Sequence, residues 1–409
     1  MKVFRDPEGW RININSFQQD ALVTYKRFQY IGGYNVNRKL VLGRRLLSEK
    51  NWDIFEFDDY LQTRNDGHNI VSLGISGDGT FHMSWDLHND KINYRHSLVD
   101  IDSAQVFNQE IFSPILQDLS GLKLTWVTYP RFVRLGSGDL LLELRIGRSG
   151  LGDDYLFRYS VQTKQWNPVG EHNGMYLKGI ACNAYINGID ATLDGQLHVS
   201  WTYRDFVEDG ADTSKNSHIS SQAGPNGPEN NHDLYYAYSP DEGLTWYNTY
   251  NEKLDLPIVP SSRIKIFEIP KNSGIMNQEG QALDKHGLLH VLNRENGYYY
   301  HYWRESTGEW NRQQLQYRAI EFGERGQLCL HSSGDLIALL PGNDGSSLFT
   351  ILRWIEDSKW VVAFEEDGYD GEPLYDRYRK NILSIAQRKK EDRESWVCVL
   401  DFGEDLRLV

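Results

Sequence analysis

The sequence predicts an all-β fold, a seven-bladed β-propeller, on three observations. Short runs that alternate apolar and polar residues are separated by turns rich in Gly, Asp, Asn and Ser, and long helical periodicity is almost absent. A turn that ends in Gly and leads into such a run recurs along the chain. Aromatic residues make up 13% of the chain, and aromatic side chains favour strands.

The recurring turn gives the repeat length. The turn glycines are Gly79, Gly138, Gly195, Gly287 and Gly334, and the strands that follow them are predicted at residues 81–85, 140–145, 197–201, 289–292 and 336–340. Successive glycines are about 50 to 60 residues apart, except for one interval of about 90, and a repeated four-stranded unit of that size is typical of propeller blades. The 409 residues therefore accommodate roughly seven units. A pair of irregular β-sandwiches is the alternative.

The ends of the chain and one insertion complete the predicted domain. We expect one propeller domain over residues 1–409, with a polar loop inserted at about 204–231. The last blade is predicted to contain strands at 381–387 and 396–402, with the charged residues 388–393 as the turn between them. Strands around residues 21–25 are predicted to close the ring against the C-terminal ones.

Residues 239–246, Ser-Pro-Asp-Glu-Gly-Leu-Thr-Trp, fit the Asp-box pattern and resemble the BNR repeat of sialidase-like propellers. In such a hairpin turn the Asp side chain caps backbone amides, Gly adopts positive φ, and Trp packs beneath. The motif supports the fold and carries no information about a reaction.

Composition excludes several classes of protein. The formal net charge of −14 argues against general binding to nucleic acid or to a membrane surface. No apolar run is long enough for a transmembrane helix. Asp6 and Glu8 fall where a signal peptide would be apolar, so we expect an intracellular protein or one whose leader has been removed. Three scattered cysteines, Cys182, Cys329 and Cys398, are interpreted as small buried side chains.

Histidines divide into two groups. His82, His198 and His290 share one position in the repeat, so we interpret them as packing residues. His68 and His88 instead lie in loops, one before a strand and one after the next strand. Those two ends of a hairpin lie on the same side of a propeller, so both histidines are predicted to face one opening of the channel.

The next two blades offer Tyr and Arg at equivalent corners. Tyr129 and Arg145 flank one hairpin, and Tyr185 and Arg204 flank the following one. Pro130 favours an extended conformation for Tyr129 at the start of its strand. The alternative for each tyrosine is a core ring with a satisfied hydroxyl, and for each arginine a paired surface charge.

The motifs around these residues resemble those of the BNR-repeat propeller polysaccharide lyases, which include ulvan lyases and the L-rhamnose-α-1,4-D-glucuronate lyases. The resemblance covers about residues 60–250 and rests on Asp66-Gly-His68-Asn, His88-Asn89, Thr128-Tyr-Pro-Arg131, Asn183-Ala-Tyr185 and Asn231-His-Asp233. It implies β-elimination at a uronic acid in the central groove. On this basis Arg145 grips the carboxylate, and His68, His88 and Tyr129 form the acid and base set. Tyr185 assists, and substrate binding falls to Asn89, Arg131, Arg148 and Arg204.

The chemistry requires these residue types. Arginine neutralises the uronate carboxylate, and Tyr or His transfers the protons. In glucuronate H5 and O4 lie on one face, so a single Tyr can act as base and then acid. Tyr129 is favoured for that role, while a His base remains open.

The predicted function is a polysaccharide lyase that cleaves the rhamnose-α-1,4-glucuronate bond, exo-acting and releasing rhamnose from arabinogalactan or gum side chains. The alternatives are an endo-acting ulvan lyase, a sialidase-like glycoside hydrolase and a non-catalytic carbohydrate-binding propeller. We expect an acidic polysaccharide or oligosaccharide as the partner, no nucleic acid or membrane partner, a monomer, and an extracellular location inferred from the substrate alone.

A metal ion is not required for the predicted chemistry, because Arg and His neutralise the carboxylate. A structural calcium or zinc ion is an open alternative, with His232 beside Asp233 as a candidate ligand and Cys182 as a second one. The competing interpretation of His232 is a hydrogen-bonded anchor for the turn.

Overall fold

Seven antiparallel sheets arranged as propeller blades form the molecule, which confirms the predicted fold class. The computed structural model describes residues 1–13, 20–208, 226–319, 324–342, 347–355, 359–379, 381–391 and 393–409. Most of the predicted insertion at 204–231, residues 209–225, lies outside the described residues. Within the described ranges no helix is long and apolar enough to cross a bilayer.

The first two blades hold the N-terminal strands of the ring. Blade 1 consists of β2 (Leu22–Tyr25), β3 (Phe28–Tyr34), β4 (Lys39–Leu46) and β5 (Asp53–Leu61). Blade 2 consists of β6 (Ile70–Ile75), β7 (Phe81–Asp86) and β9 (Tyr94–His96). The short β8 (His88–Asp90) leaves blade 2 and pairs with the first long strand of blade 3. This crossing places His88 between two blades.

Blades 3 and 4 each have six strands. Blade 3 contains β8, β10 (Val127–Arg134), β11 (Leu140–Arg148), β12 (Leu151–Ser160), β13 (Gln165–Pro168) and β14 (Met175–Leu177). Blade 4 contains β15 (Cys182–Ala191), β16 (Leu197–Asp205), β17 (Asn231–Ser239), β18 (Trp246–Tyr247), β19 (Lys253–Leu254) and β20 (Lys265–Phe267). Single 3₁₀ turns lie in connecting segments at Gln109–Ile111, His172–Gly174, Pro228–Asn230 and Ser262–Ile264.

The remaining blades are four-stranded. Blade 5 contains β21 (Gly280–Leu283), β22 (Leu289–Glu295), β23 (Tyr298–Arg304) and β24 (Trp310–Arg318). Blade 6 contains β25 (Gln327–Leu330), β26 (Leu336–Leu340), β27 (Phe349–Ile355) and β28 (Lys359–Glu366). Blade 7 contains β29 (Tyr369–Tyr375), β30 (Leu383–Glu391), β31 (Glu394–Phe402) and β1 (Lys2–Arg5).

The prediction for ring closure was wrong in its choice of strand. Residues 22–25 form the first strand of blade 1, whereas β1 pairs with β31 at the outer edge of blade 7. An ion pair of 2.8 Å between Arg45 in blade 1 and Asp401 in blade 7 joins the same two blades. The charged residues 388–393 were also assigned wrongly as a turn, because β30 continues to Glu391 and pairs through it with Glu394 of β31. The charged residues fit there because the last four residues of β30 are less buried than its first five.

The recurring turn is confirmed. The predicted strands after the five glycines are β7, β11, β16, β22 and β26, the second strands of blades 2 to 6. All five glycines have positive φ, between 75° and 91°, which an L side chain adopts only with strain. The repeat in the sequence is therefore the hairpin between the first and second strands of a blade.

The packing histidines and the Asp-box are also as predicted. His82 is fully buried and contacts the Tyr94 hydroxyl at 2.6 Å, and His198 contacts the Tyr236 hydroxyl at 2.8 Å. In the Asp-box Asp241 accepts from the amide of Thr245 at 2.7 Å, with Trp246 fully buried below. The three cysteines are free and buried.

First strands of neighbouring blades contact one another around the ring, as β6 contacts β10 and β10 contacts β15. These strands line the central channel, so residues along one strand lie at increasing depth, about 3.3 Å apart per residue. Side chains at strand starts therefore share one mouth of the channel, and later side chains lie deeper.

Candidate active site

Two histidines and one aspartate form the part of the site contributed by blade 2. The rings of His68 and His88 are stacked, with centroids 3.9 Å apart. Both Nδ1 atoms face the carboxylate of Asp66, at 2.7 Å from His68 and in a shorter contact from His88. The amide of His68 also donates to Asp66 at 3.0 Å. Asp66 thus holds two imidazoles in one orientation, with each Nε2 directed away from it.

The electrostatics of this group keep both rings neutral near pH 7. Burial, together with the adjacent His68, lowers the pKa of His88 to about 4. Burial also lowers the pKa of His68, against the opposing effect of Asp66, and Arg325 and Arg145 add to the lowering. Although burial opposes it, hydrogen bonds from both histidines hold the pKa of Asp66 well below its usual range. The side chain of His68 is 26% exposed, which leaves it accessible from the channel.

Blade 3 contributes Tyr129, whose backbone differs from the expectation. Its φ is +61°, where an extended conformation was predicted from Pro130. The register of β10 shifts between Thr128 and Arg131, so Tyr129 lies in a bulge. Positive φ is strained for a bulky residue and is concentrated at functional sites. The bulge directs the Tyr129 ring to 5.9 Å from His68 and 6.1 Å from Tyr185.

Arg145 is positioned by two neighbours and keeps two nitrogens for other partners. Its Nη2 donates to Asn89 Oδ1 at 3.2 Å and to Thr128 Oγ1 at 3.1 Å. Its Nε and Nη1 are buried and have no hydrogen-bond partner among the described residues, and the same is true of Asn89 Nδ2. The guanidinium carbon lies 5.0 Å from the ring centre of Tyr129 and 5.4 Å from that of Tyr185. A buried guanidinium of this kind matches a carboxylate.

Arg204 is engaged by neighbouring side chains and a backbone carbonyl. Each of its nitrogens donates within the protein, to Asn231, Ser149, Tyr185, the Asn226 carbonyl and Asn277. Its Nη1 lies 3.2 Å from the Tyr185 hydroxyl, which Ser149 contacts at 3.0 Å. Although burial raises it, Arg204 and Arg145 bring the pKa of Tyr185 below its usual value. Arg204 therefore positions Tyr185 and lowers its pKa, and its predicted role in substrate binding stays a prediction.

The other two arginines predicted to bind substrate lie at different levels of the channel. Arg131 follows Tyr129 by two residues and faces deeper groups of the channel, among them Asp20, Asp190 and Arg377. Arg148 lies at the end of β11, where its guanidinium packs 5.4 Å from the ring of Phe206. The roles predicted for both arginines in substrate binding stay predictions. The channel-mouth site is therefore Asp66, His68, His88, Tyr129, Arg145, Tyr185 and Arg204.

Residues missed in the sequence come mostly from later blades. Arg325, which precedes β25, pairs with Glu372 at 2.8 Å and donates to the carbonyl of Asn277 at 2.7 Å. Its charge acts on His68 and Tyr129. No local pattern marks it. Asp66 was recognisable, because a carboxylate two residues before a loop histidine commonly orients its ring.

The site is locally positive despite the net charge of the chain. Arg145, Arg204 and Arg325 all act on the pair Tyr129 and Tyr185 or on His68. Such a local field attracts anionic ligands whatever the global charge. A polar cavity of about 160 Å³ adjoins His88 and is lined by Gln62, Arg64 and Asn69 among others.

The metal prediction at His232 is not supported by a convergent ligand group. His232 lies 3.1 Å from Asp233 and 3.0 Å from Asp205, and lysines pair with both carboxylates. Within the described residues, the group of three His, Cys, Asp or Glu side chains whose ligand atoms converge is Asp66, His68 and His88. Binding of a metal at either place stays a prediction.

A seven-bladed propeller that assembles histidine, tyrosine and arginine at one channel mouth is the class of protein that the fold and site define. The chain belongs to the BNR repeat-containing family, whose model matches residues 28–318. It is 27% identical over 295 residues to an ulvan lyase, long isoform, of Alteromonas sp. (strain LOR), covering 61% of this chain and 28% of that protein. It is 25% identical over 243 residues to the short isoform from the same strain, covering 50% of this chain and 43% of that protein. The chain thus spans less than half the length of these curated relatives.

Solved structures share the fold at low sequence identity. An ulvan lyase of polysaccharide lyase family PL25, bound to -[GlcA(1-4)Rha3S]-, has a TM-score of 0.72 at 15% identity and covers 99% of this chain and 96% of that one. The polysaccharide lyase Uly1 has a TM-score of 0.71 at 16% identity over 93% of this chain and 89% of that one. At such identity the likeness establishes the propeller alone.

Asp66 is expected to act as a positioning residue. The negative charge of Asp66 fixes both imidazole tautomers and raises the pKa of His68. Asp66→Asn removes that charge, so the pKa of His68 falls. We expect kcat to fall about 10- to 100-fold with KM nearly unchanged, and the acid limb of kcat/KM to move to lower pH. Asp53→Asn, which removes a surface carboxylate 3.5 Å from Arg44, is the control. An unchanged acid limb would indicate a purely structural role.

Proposed function

We propose that the channel-mouth site catalyses β-elimination at a uronic acid residue of an acidic polysaccharide, cleaving the rhamnose-α-1,4-glucuronate linkage at the bond between C4 and O4 of glucuronate. The observation that carries the proposal is Arg145, whose two unpartnered buried nitrogens lie beside Tyr129 and close to the neutral histidine pair. The 27% identity to an ulvan lyase over 295 residues supports the same chemistry.

The reaction involves two proton transfers, one from C5 and one to O4. A base removes the proton from C5, the electron pair of that C–H bond forms the C4–C5 double bond, and the bond from C4 to O4 breaks. O4 receives a proton from an acid and leaves as the hydroxyl of the new chain end. Arg145 stabilises the negative charge that develops on the C6 carboxylate.

His68 fits the role of base and Tyr129 that of acid. His68 is neutral, accessible and held with its Nδ1 on Asp66, so its Nε2 is the atom that accepts a proton. Burial, together with the neighbouring Tyr185, raises the pKa of Tyr129 above its usual value, which keeps it protonated as a donor. Because H5 and O4 of glucuronate lie on one face, base and acid must be neighbours, and these two rings are 5.9 Å apart.

The pH profile separates His68 from Tyr185 as base. With His68, kcat/KM is expected to be on its plateau at pH 7 and to fall as the pH drops through a value below the usual histidine pKa of about 6.5. Protonated imidazole cannot accept the C5 proton, which fixes the sign. Activity that keeps rising above about pH 9 would instead assign the base to the phenolate of Tyr185.

Ultraviolet absorbance during incubation with ulvan and, separately, with gum arabic tests the reaction. Elimination creates a conjugated 4,5-unsaturated uronate that absorbs, whereas hydrolysis does not. Absorbance with ulvan alone would assign the endo-acting branch that the curated relatives favour. Absorbance with gum arabic together with free rhamnose would assign the exo-acting branch. Reducing sugar without absorbance would overturn the proposal and favour a hydrolase.

Binding without any product would favour the non-catalytic carbohydrate-binding alternative. Most of the insertion at 204–231 lies outside the described residues, so the exo-acting and endo-acting branches are separated by substrate alone. We also propose that the enzyme is extracellular, which is inferred from the substrate class, and that it is a monomer. A gel-filtration mass near 47.4 kDa is expected for a monomer.

A further inference from the structure

A second cavity lies deeper in the central channel than the channel-mouth site. Its volume is about 190 Å³. Its polar lining comes from four blades and from the segments beside them, namely Asp20, Arg131, Arg134, Asp190, Arg377 and Tyr378. Arg131 lies two residues beyond Tyr129 on β10, and Asp190 lies five residues beyond Tyr185 on β15. We call this space the inner cavity; none of the seven channel-mouth residues lines it.

Arg131 is buried in the wall of the inner cavity without a hydrogen-bond acceptor. The residue is 1% exposed, and its Nε, Nη1 and Nη2 have no partner among the described residues. Burial lowers its pKa to about 10, which still leaves the guanidinium charged near pH 7. A buried charged donor without an acceptor is strongly unfavourable, so this position calls for an acceptor that is not part of the chain.

The carboxylates of the cavity are already engaged. Asp20 and Asp190 pair with Arg377 at 3.1 Å and 2.7 Å. Arg134 adds a third cation, which donates to the carbonyl of Ile75 at 2.9 Å and has its buried Nη2 without a partner. Three guanidinium groups therefore face two carboxylates across this space, and the unsatisfied atoms are all donors.

Glu143 does not supply the missing acceptor. It is the cross-strand neighbour of Arg131, yet no nitrogen of Arg131 has a hydrogen bond to it. Its side chain is directed to Tyr176, with the hydroxyl 3.5 Å from the carboxylate. Burial raises the pKa of Glu143 to about 7, so near neutral pH it is only partly charged.

We propose that the inner cavity binds a small monovalent anion, a halide or a simple carboxylate, on the guanidinium groups of Arg131 and Arg134. The anion accepts hydrogen bonds from the donors that the chain leaves unmatched and offsets the positive charge of the guanidinium groups. It links β10 of blade 3 to the Arg377 pairs that join blades 1, 4 and 7, and so stabilises the closed ring. This site is independent of the function proposed for the channel mouth.

Thermal unfolding of the whole chain, titrated with bromide at constant ionic strength, tests the proposal. The balance of the salt is a bulky organic sulfonate that is too large for the cavity. A saturable rise in Tm is expected, about 2 °C at a bromide concentration tenfold above its Kd, and acetate is expected to act in the same way. Arg131→Met should abolish the rise, whereas Arg353→Met, which removes a surface guanidinium paired with Asp335, should retain it. A rise that does not saturate, or that persists in Arg131→Met, would overturn the site.

Bromide-soaked crystals of the unmodified protein give a second measurement that does not depend on a variant folding. An anomalous peak within hydrogen-bonding distance of the Arg131 guanidinium is the expected result. Peaks confined to surface arginines would mean an adventitious ion only and would overturn the proposal. Neither measurement involves polysaccharide turnover, so failure of the anion site and failure of the proposed lyase activity are distinguishable.

Discussion

Tyr129→Phe is expected to reduce kcat by about 10³-fold or more while substrate binding is largely retained, because the variant loses the proton that O4 must receive. The ring stays, so its contacts with His68 and Tyr185 are preserved. Without a donor, the leaving oxygen departs as an alkoxide, and this raises the barrier to C–O cleavage. Initial rates of ultraviolet absorbance, fitted for kcat and KM, check the result.

A matched control separates chemistry from folding. Tyr299 is fully buried, and its hydroxyl has no hydrogen-bond partner among the described residues. Tyr299→Phe therefore makes the same chemical change away from the channel mouth, and its activity should equal that of the unmodified protein. Turnover of Tyr129→Phe within tenfold of the unmodified protein would remove Tyr129 from the proton transfers and leave Tyr185 as the remaining tyrosine.

Arg145→Met is expected to lower kcat by about 10³- to 10⁴-fold, since charge develops on the carboxylate in the transition state and the arginine stabilises it there. The groups lost are Nε and Nη1 of Arg145, the two nitrogens that donate to neither Asn89 nor Thr128. KM should rise by a smaller factor than kcat falls. The carboxylate of the bound substrate carries its charge in the ground state whether or not Arg145 is present, and the wider positive field also holds it.

Arg145→Lys provides the internal comparison. Lysine keeps the charge but not the planar pair of donors, so its kcat should lie between those of Arg145→Met and the unmodified protein. Arg263→Met removes an exposed guanidinium 3.4 Å from Glu252 and serves as the surface control. If Arg145→Met raised KM with kcat intact, the arginine would act in binding alone.

The blade architecture was predictable because it depends on local chemistry. The turn glycines at 79, 138, 195, 287 and 334 need positive φ, and each lies between two alternating strands. The Asp-box at 239–246 is stabilised by hydrogen bonds among its own eight residues. Ring closure was mispredicted because β1 is a strand of four residues with no turn signal to mark its partner. Its pairing with β31 depends on a sheet edge formed almost the whole chain later.

The sequence by itself determined the repeat, the Asp-box turn and the pairs His68 with His88, Tyr129 with Arg145 and Tyr185 with Arg204, because each depends on spacing within one or two hairpins. Only the tertiary structure decided which arginines reach the channel mouth. Arg325 arrives from blade 6 without any local pattern, while Arg131, two residues after Tyr129, lies deeper among Asp20, Asp190 and Arg377. The physical reason is that first strands run along the channel, so neighbours in sequence lie at different depths and residues from distant blades share one level.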